Sequence, residues 1–385
     1  MLRAQCAFGL LATLAAVSPL AAAKPPSVPG PPSAPQLTVT VDCDAGDSLG
    51  EALAARADSL TVEFTGTCQE DLTIDRDRVT LRGLDPSAVL EGASDPAFLS
   101  AIEATGADLV LEGFTITGSD GRGIRVRRSG GLTLTGMTVS GNAVSGLELE
   151  ESSSARVTDS TFNDNGFAGL AAFSSSLTVS GAIEASGNGL IGVFLSTNAT
   201  IENVRSEPFV TDDNGLAGVV VQLESTGQFP PVHASGNGFA GIWVLGGKFF
   251  GVRINISNNA NGVVVGLGGL FEGAGVIADN DGVALRTDHR CQASFNDSLI
   301  RGDVVMDGTL GDLLRDTIEG DVTLTFGSHV ALTGSTADNL FCDETVLVRG
   351  LACSPLPLTG GGTSSFIGGG PQVPRTPAGY IRKPD

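Results

Sequence analysis

Apolar residues recur along this chain in a repeat of about 23 residues. Each repeat contains a glycine, an apolar residue, a free position and a second apolar residue. Eight glycines mark the repeats: Gly123, Gly146, Gly169, Gly192, Gly218, Gly241, Gly262 and Gly282. Residues two apart share one face of a strand, so each apolar pair predicts a short strand with one buried face. Repeats of this kind bury their apolar faces only by stacking, which predicts a solenoid.

The other half of each repeat predicts a second strand and a turn. Leu132 and Leu134 alternate with polar residues in one repeat, as do Val252, Ile254 and Ile256 in another. Asparagines precede the repeat glycines: Asn142, Asn165, Asn188, Asn214, Asn237, Asn258 and Asn280. We expect these asparagines to form turns, because asparagine tolerates left-handed backbone. Coils of this length, stacked ~4.8 Å apart, predict a parallel β-solenoid.

Two other repeat folds fit the sequence less well. Leucine-rich repeats have a similar period but need a helical return, and these repeats lack helical periodicity. Left-handed β-helices use hexapeptides, into which the irregular spacings do not divide. The segment Asn165–Ala172 and the segment Asn237–Val244 both follow the pattern N-G-F-A-G-(L/I)-x-(A/V). With these motifs, residues 60 to 350 resemble the right-handed parallel β-helix superfamily of pectin-lyase-like proteins, which implies an all-β fold and no single chemistry.

The two ends of the chain have different compositions from the repeats. Residues 1–23 predict a secretory signal peptide, with Arg3 near the start, an apolar run and a small-residue end. Residues 24–35 are proline-rich and predict a linker, and residues 36–353 predict one β-helix domain. Residues 354–385, rich in proline and glycine, predict an irregular tail. The signal indicates a secreted or periplasmic protein, and no later segment is long and apolar enough to span a membrane.

Capping and cysteine pairing can be predicted for both ends of the solenoid. Asp47 and Ser48 precede a short predicted helix that covers the first coil. Cys43 and Cys68 flank this helix, and a disulfide between them would stabilise the fold by roughly 3 kcal/mol. Cys342 and Cys353 predict a second disulfide at the far end. Cys291 is then unpaired, although an alternative pairs it with Cys342.

Net charge restricts the partners. The chain has 43 acidic and 22 basic side chains, a formal charge of −21. Such a chain is unsuited to nucleic acid or an anionic membrane, and to an acidic polysaccharide unless a local basic cleft or bound cations reverse the field. The strongest local basic segment contains Arg122, Arg125, Arg127 and Arg128.

Stacking by one coil predicts acidic neighbours for these arginines. A shift of 23 residues places Glu148, Glu150 and Glu151 beside Arg125, Arg127 and Arg128, and a shift of 22 places Glu103 beside Arg125. Neighbouring opposite charges on strands contribute only ~0.2 to 1 kcal/mol each. We therefore interpret the arginines as one half of an ion-pair ladder that has a structural role.

Candidate catalytic residues are few. Asp212 and Asp213 resemble the Asp-Asp signature of the polygalacturonase-like members of this superfamily. The other signatures of those enzymes, among them Gly-His-Gly and Arg-Ile-Lys, have no equivalent in this sequence. The turn segments 163–165, 212–214 and 279–281 could offer oxygen ligands to Ca²⁺, but turn formation explains the same residues. His233, His289 and His329 lack metal-ligand spacing, so no metal site is predicted.

An apolar stripe is the other candidate. The free position of successive repeats contains Arg125, Glu148, Ala171, Phe194, Val220, Trp243, Val264 and Ala284. Phe194, Val220, Trp243 and Val264 are then expected to point outward, over roughly 15 Å of strand stacking. Such patches normally contact something: the chain's own tail, another protein or a glycan. The sequence thus predicts a structural or binding module, and the alternative is a polysaccharide lyase or glycoside hydrolase with a site near Asp212 and Asp213.

Overall fold

Strands from successive coils stack in parallel and enclose an apolar interior. The computed structural model of the protein describes residues 36–93, 99–204, 207–229 and 231–355. Strands are numbered β1 to β37 in chain order, and they form two sheets of 14 and 23 strands. The 14-stranded sheet is the first face of the solenoid. The 23-stranded sheet contains two strand ladders, the second and third faces, which are joined by four long strands.

The first face contains one strand from each coil. Its members are β4 (Leu72–Ile74), β7 (Ser100–Thr105), β10 (Arg122–Arg127), β13 (Ser145–Leu149), β15 (Ala168–Phe173), β17 (Ile191–Ser196), β20 (Ala217–Gln222), β23 (Ala240–Leu245), β25 (Asn261–Gly266), β27 (Leu285–Thr287), β30 (Val304–Asp307), β33 (Asp321–Thr325), β35 (Asn339–Cys342) and β37 (Ser354–Pro355). These strands contain the apolar pairs of the repeat, so the predicted strand of each repeat lies here.

The second face is built from strands that follow the first corner of each coil. It contains β1 (Gln36–Asp42), β2 (Ser59–Thr65), β5 (Val79–Gly83), β8 (Asp108–Glu112), β11 (Gly131–Thr135), β18 (Thr200–Asn203), β21 (Thr226–Phe229), β28 (Gln292–Asn296), β31 (Leu310–Leu314), β34 (His329–Thr333) and β36 (Leu347–Arg349).

The third face is shorter, and four long strands bend across the second and third faces together. The third face has β3 (Thr67–Gln69), β6 (Val89–Glu91), β9 (Thr115–Thr117), β12 (Thr138–Val139), β19 (Phe209–Val210), β22 (Val232–Ser235), β29 (Leu299–Arg301) and β32 (Thr317–Glu319). The bridging strands are β14 (Ser154–Thr161), β16 (Ser176–Glu184), β24 (Lys248–Ser257) and β26 (Leu270–Ala278).

Inward-facing side chains form one continuous apolar core. The repeat pairs are buried as predicted, for example Ile124 and Val126 in β10 and Ile242 and Val244 in β23. A column of phenylalanines runs along the interior, and its members are Phe209, Phe229, Phe249, Phe271 and Phe295. Ring centroids of Phe249 and Phe271 are 5.1 Å apart. This distance matches the spacing of stacked strands, so each coil places its ring on the ring before it.

Buried asparagines form a second ladder at one corner. Its members are Asn142, Asn165, Asn188, Asn214, Asn237, Asn259 and Asn280, and each Nδ2 donates to the Oδ1 of the next at 2.9–3.2 Å. Six of these asparagines were predicted as turn residues, and the buried ladder itself was not predicted. In the remaining repeat the prediction named Asn258, the exposed residue before the ladder asparagine, which does have the expected left-handed backbone with φ 56°.

Left-handed backbone occurs one position earlier than predicted. The residue before each ladder asparagine has positive φ, as at Asp164, Asp213 and Asn258, and the ladder asparagines themselves do not. Six of the seven ladder amides lie so close to a repeat glycine that a side chain there would collide with them. A Cβ on Gly146 would lie 2.9 Å from Asn165 Nδ2 and 2.8 Å from the Gly169 carbonyl oxygen, so the glycine is needed for close approach.

The first coil is covered by the predicted helix. The helix α1 (Leu49–Leu53) follows a 3₁₀ turn (Cys43–Ala45), and the Ser48 side chain accepts from Glu51 N at 3.1 Å as its N-cap. Glu70 accepts from Leu49 N at 2.6 Å and from Ser48 Oγ at 3.0 Å, which fixes the helix to the first coil. The strand β1 was not predicted, and it pairs with β2. No helix in the described residues is long and apolar enough to cross a membrane.

Both predicted disulfides are present. Cys43 bonds to Cys68 and Cys342 to Cys353, with Cα atoms 5.1 and 5.6 Å apart. The alternative pairing of Cys291 with Cys342 is wrong, because Cys291 is a free thiol buried in the core. The predicted signal peptide (residues 1–23) and linker (24–35) lie outside the described residues, as do residues 356–385 of the predicted tail.

Candidate active site

A cleft of about 460 Å³ lies on the outer side of the first face, where β10, β13 and β15 meet. Its polar lining is Arg122, Arg125, Arg127, Glu148, Glu150, Glu151 and Ser174, and its apolar lining is Val144, Phe167 and Phe173. The 23-residue period brings these residues together, because it stacks two charged repeats directly before the first apolar one. The cleft therefore lies at the boundary between the charged and the apolar parts of this face.

Strand register confirms the predicted proximity of the charges. Arg125 is aligned with Glu148 of the following coil and with Glu103 of the preceding coil. The ion pairs, however, run diagonally. Arg122 Nε lies 2.6 Å from Glu148 Oε1, and Arg125 Nη2 lies 2.7 Å from Glu150 Oε2.

Two further pairs complete the network. Arg127 pairs with Glu103 of the preceding coil. Arg128 and Glu151, at 3.9 Å, form an exposed pair at the edge. Arginine side chains are long enough to reach past the aligned residue, which explains why the pairing differs from the alignment.

Glu148 is the most buried acid of this network. Its residue exposure is 3%, and Arg125 is 6% exposed, so these are not the surface ion pairs that the sequence predicted. Ser145 Oγ donates to Glu148 Oε2 at 3.4 Å. Burial raises the pKa of Glu148 to about 7, an effect that the Arg122 guanidinium opposes and the Glu150 carboxylate reinforces. A carboxyl group of this kind exchanges protons near neutral pH.

Aromatic rings form the apolar wall of the cleft. Phe194 makes edge-to-face contacts with Phe167 and Phe173, with ring centroids 5.6 and 5.5 Å away. Phe167 follows the ladder asparagine and glycine of its repeat, whereas Phe173 ends β15. Phe167 and Phe173 line the cleft together with the charged residues, and an apolar wall of this kind lowers the local dielectric in which charged groups interact.

The predicted catalytic pair lies elsewhere in the coil. Asp212 lies at a corner between the third and first faces, where its Oδ1 accepts from Ser235 N at 2.8 Å and its Oδ2 lies 3.5 Å from His233 Nε2. Burial raises the pKa of Asp212, although His233 acts in the opposite direction. Asp213 has φ 55° and forms the turn before the ladder asparagine. Neither aspartate is among the residues lining the cleft.

No group of three or more His, Cys, Asp or Glu residues in the described part of the chain is arranged to hold a metal ion. The turn segments considered for Ca²⁺ are used in other ways. Asp164, Asp213 and Asp279 take left-handed backbone at equivalent corners of their coils, and Asn165 and Asn214 belong to the buried ladder.

The apolar stripe has the predicted register over most of its length. Phe194, Val220, Trp243 and Val264 are aligned on successive strands, and they belong to a hydrophobic cluster separate from the core. The inclusion of Ala284 was wrong. Val264 is aligned with Arg286, which lies 22 residues later, whereas Gly262 and Gly282 are only 20 residues apart. Ala284 is fully buried.

Comparison with known proteins identifies the class. Residues 100–261 match the family described as right handed beta helix region. Together with the parallel coils, this match shows that the chain has the right-handed parallel β-helix fold, as the repeat motifs predicted. The search of curated proteins gives no match.

Several solved structures align with this chain over most of its length. The A-module of mannuronan C-5 epimerase AlgE6 from Azotobacter vinelandii aligns with a TM-score of 0.54 at 15% identity, covering 81% of this chain and all of the module. Tailspike protein 2 of bacteriophage CBA120 aligns with 0.38 at 11% identity, over 76% of this chain and 48% of the tailspike. Pectin methylesterase PemA from Erwinia chrysanthemi aligns with 0.24 at 11% identity, over 82% and 90%. The alignment with the epimerase module, at 15% identity, shows a likeness of fold alone.

Proposed function

We propose that this protein is a carbohydrate-active β-helix protein that binds a glycan in the cleft and cleaves it with Glu148 as the general acid. The observation that carries this proposal is a carboxyl group with a pKa of about 7, 3% exposed, in the wall of an open cleft. Acid–base catalysis at neutral pH works best with a group whose pKa lies near the working pH.

A second carboxyl group lies beside Glu148. Glu150 is two residues along the same strand, and its side chain is hydrogen-bonded to that of Glu148. Two carboxyl groups in contact do not both ionise readily, so one is protonated and the other is a carboxylate. The burial of Glu148 favours its protonated form, and the ion pair between Glu150 and Arg125 favours a carboxylate at Glu150. The two groups thus suit different roles.

The ligand class follows from the lining. The arginine and glutamate groups offer donors and acceptors for hydroxyl groups, and Phe167 and Phe173 offer apolar faces for sugar rings. The epimerase module that shares this fold is named for a polysaccharide, mannuronan, but the likeness extends to the fold alone. We also propose a secreted or periplasmic location, which the two disulfides support.

A specific observation favours a second candidate, a structural or binding module. Each glutamate named in the cleft network has an arginine partner, and a fully paired network of this kind can be purely structural. In that case the cleft would bind a ligand without turnover, or would bind none.

A panel of neutral and acidic polysaccharides, offered with and without Ca²⁺, separates these functions. Release of reducing ends or of unsaturated products measures cleavage, and retardation in polysaccharide gels measures binding. Three variants make the test specific: Glu148→Gln in the cleft, Asp212→Asn at the other predicted site, and Glu272→Gln on an exposed position of β26 as the matched control.

We expect Glu148→Gln to abolish cleavage and retain binding, and Glu272→Gln to leave both unchanged. Loss of cleavage in Asp212→Asn, with Glu148→Gln active, would move the site to the Asp212 corner. Binding without cleavage by the unmodified protein would favour the module, and absence of both across the panel would contradict the proposed function.

A further inference from the structure

The first strand of the solenoid has a free edge. The strand β1 pairs with β2 along its whole length, and it pairs with no other strand among the described residues. The register between the two strands is continuous, without a bulge. Proteins usually protect such an edge with lysine, proline or a bulge, because its open backbone groups can pair with another chain. β1 contains neither lysine nor proline.

The backbone groups at this free edge belong to alternate residues of β1. Asp42 N donates to Asp47 Oδ2 at 3.1 Å, so the backbone of Asp42 points away from β2. Successive residues of a parallel strand direct their backbone groups to alternate sides. The N–H and C=O groups of Thr38 and Thr40 therefore point to the same free edge as those of Asp42, and both threonines are exposed.

The pairing of β2 with its other neighbour gives the same assignment. Leu60 of β2 is aligned with Leu37, and Leu60 N donates to the Arg78 carbonyl oxygen at 3.0 Å, on the side away from β1. In a parallel ladder the residue aligned with one that points away directs its own backbone into the ladder. Leu37 thus bonds to β2, and its neighbour Thr38 faces the free edge.

The inward side chains of β1 are covered at one end only. Val41 is 2% exposed, whereas Val39 is half-buried and Leu37 is 38% exposed. A strand added at the free edge would lie ~4.8 Å from β1 and place its alternate side chains on Leu37 and Val39. The edge therefore offers apolar contact as well as backbone hydrogen bonds.

The charge of this end of the solenoid indicates the partner. Arg56 is the one basic residue between positions 36 and 58, where five acidic side chains are all exposed: Asp42, Asp44, Asp47, Glu51 and Asp58. A second copy of this chain would bring two such acidic ends together, and like charges repel. A segment with basic residues is instead attracted to this end.

We propose that β1 binds an extended, basic segment of a partner protein by strand addition. The backbone groups of Thr38 and Thr40 form the hydrogen bonds of the new ladder, and apolar residues of the segment cover Leu37 and Val39. Lysine or arginine at the end of the segment lies beside the acidic cap that begins at Asp42. This binding surface is separate from the cleft and takes no part in the proposed cleavage.

A synthetic strand tests the proposal on the full chain. The probe is a labelled seven-residue peptide of alternating threonine and valine with lysine at both ends, and its control has glutamate at both ends. Fluorescence anisotropy should show at least ten-fold tighter binding of the lysine peptide, and high salt should reduce the difference because it screens exposed charges. The bound lysine peptide should also slow hydrogen exchange in residues 36–42 and leave exchange in β23 unchanged.

A proline variant tests the role of the backbone. Thr40→Pro removes one N–H at the free edge and keeps the ladder with β2, since proline is tolerated on the outer side of an edge strand. It should weaken binding of the lysine peptide at least ten-fold. The matched control Thr40→Ala changes the same side chain but keeps the N–H, and it should bind within two-fold of the unmodified protein. Circular dichroism and thermal melting establish that both variants are folded, and the exchange measurement needs no variant.

Several results would overturn the proposal. These are no binding of the lysine peptide, equal binding to folded Thr40→Pro and Thr40→Ala, or no slowing of exchange in residues 36–42. Binding that occurs only after removal of residues 1–35 would make the chain's own N-terminal segment the occupant. An increase in mass with concentration, abolished by Thr40→Pro, would make a second copy the occupant, and either result would exclude the partner segment.

Discussion

Replacing Asn237 by alanine tests whether the asparagine ladder holds the coils together. Asn237 is 2% exposed and has a ladder asparagine on each side, Asn214 and Asn259. Its Oδ1 accepts from the backbone N and the Nδ2 of Asn214, both at 3.0 Å. Its Nδ2 donates to the Thr211 carbonyl oxygen at 3.0 Å and to Asn259 Oδ1 at 2.9 Å. Alanine removes all four hydrogen bonds at once.

The expected cost follows from these contacts. A hydrogen bond contributes roughly 1 kcal/mol, and a buried group left without its partner costs about 1 to 3 kcal/mol. Both donors on Asn214, a residue that is 1% exposed, lose their acceptor in the Asn237→Ala variant. We expect the free energy of unfolding to fall by about 4 kcal/mol, a large share of the ~5–15 kcal/mol typical of a domain.

Urea unfolding followed by circular dichroism measures this loss. The matched control is Asn255→Ala, which removes the same side chain from an exposed position on β24 in the next coil. We expect the control to change the free energy of unfolding by less than ~0.5 kcal/mol. If Asn237→Ala costs no more than Asn255→Ala, the ladder contributes nothing to stability and the argument from buried amides is refuted.

Three further predictions follow from the charges and the cysteines. The folded-state pKa of Glu148, about 7, exceeds the value of 4.5 for a free glutamate. The stability that the protonated form provides is therefore complete below pH ~4.5 and is lost as the pH rises through 7. Glu148→Gln should make the melting temperature less dependent on pH over this range. Arg125→Ala should cost about 3 kcal/mol or more in urea unfolding because it removes the ion-pair partner of the Glu150 carboxylate, whose side chain is only 12% exposed, whereas Arg128→Ala at the exposed pair should cost nothing measurable. Cys43→Ser should lower the unfolding free energy by roughly 3 kcal/mol relative to the oxidised parent, and an equal stability of the two proteins would contradict the disulfide's contribution.

Much of the fold could be predicted because the repeat constrains it strongly. A glycine followed by two alternating apolar residues fixes which side chains face inward, and the near-constant period fixes the register between coils. This is why Arg125 aligns with Glu148, and Val220 with Trp243, as expected. The prediction failed where the period changes. The repeat after Gly262 has a different length, so the equivalent of Val264 is Arg286.

The site was harder to predict because burial depends on neighbours that the alignment of coils does not specify. The sequence placed arginines beside glutamates and gave no reason to expect them to be inaccessible. Phe167 and Phe173 line the cleft beside the cluster, and Arg122 reaches diagonally to pair with Glu148. A signal was nevertheless available. The repeat that contains Phe167 and Phe173 directly follows the two repeats that contain the arginines and glutamates. The cleft lies where these repeats meet.

The later coils show what the fold requires at the position of Glu148. In successive coils the same outward position contains Ala171, Phe194, Val220 and Trp243, so the solenoid stacks well with apolar residues there. Replacing buried ion pairs by apolar residues is often neutral or stabilising, because desolvation cancels most of the attraction between the charges. Packing therefore does not require charges at Arg125 and Glu148. Their place in an open cleft agrees with the chemical role that we propose for Glu148.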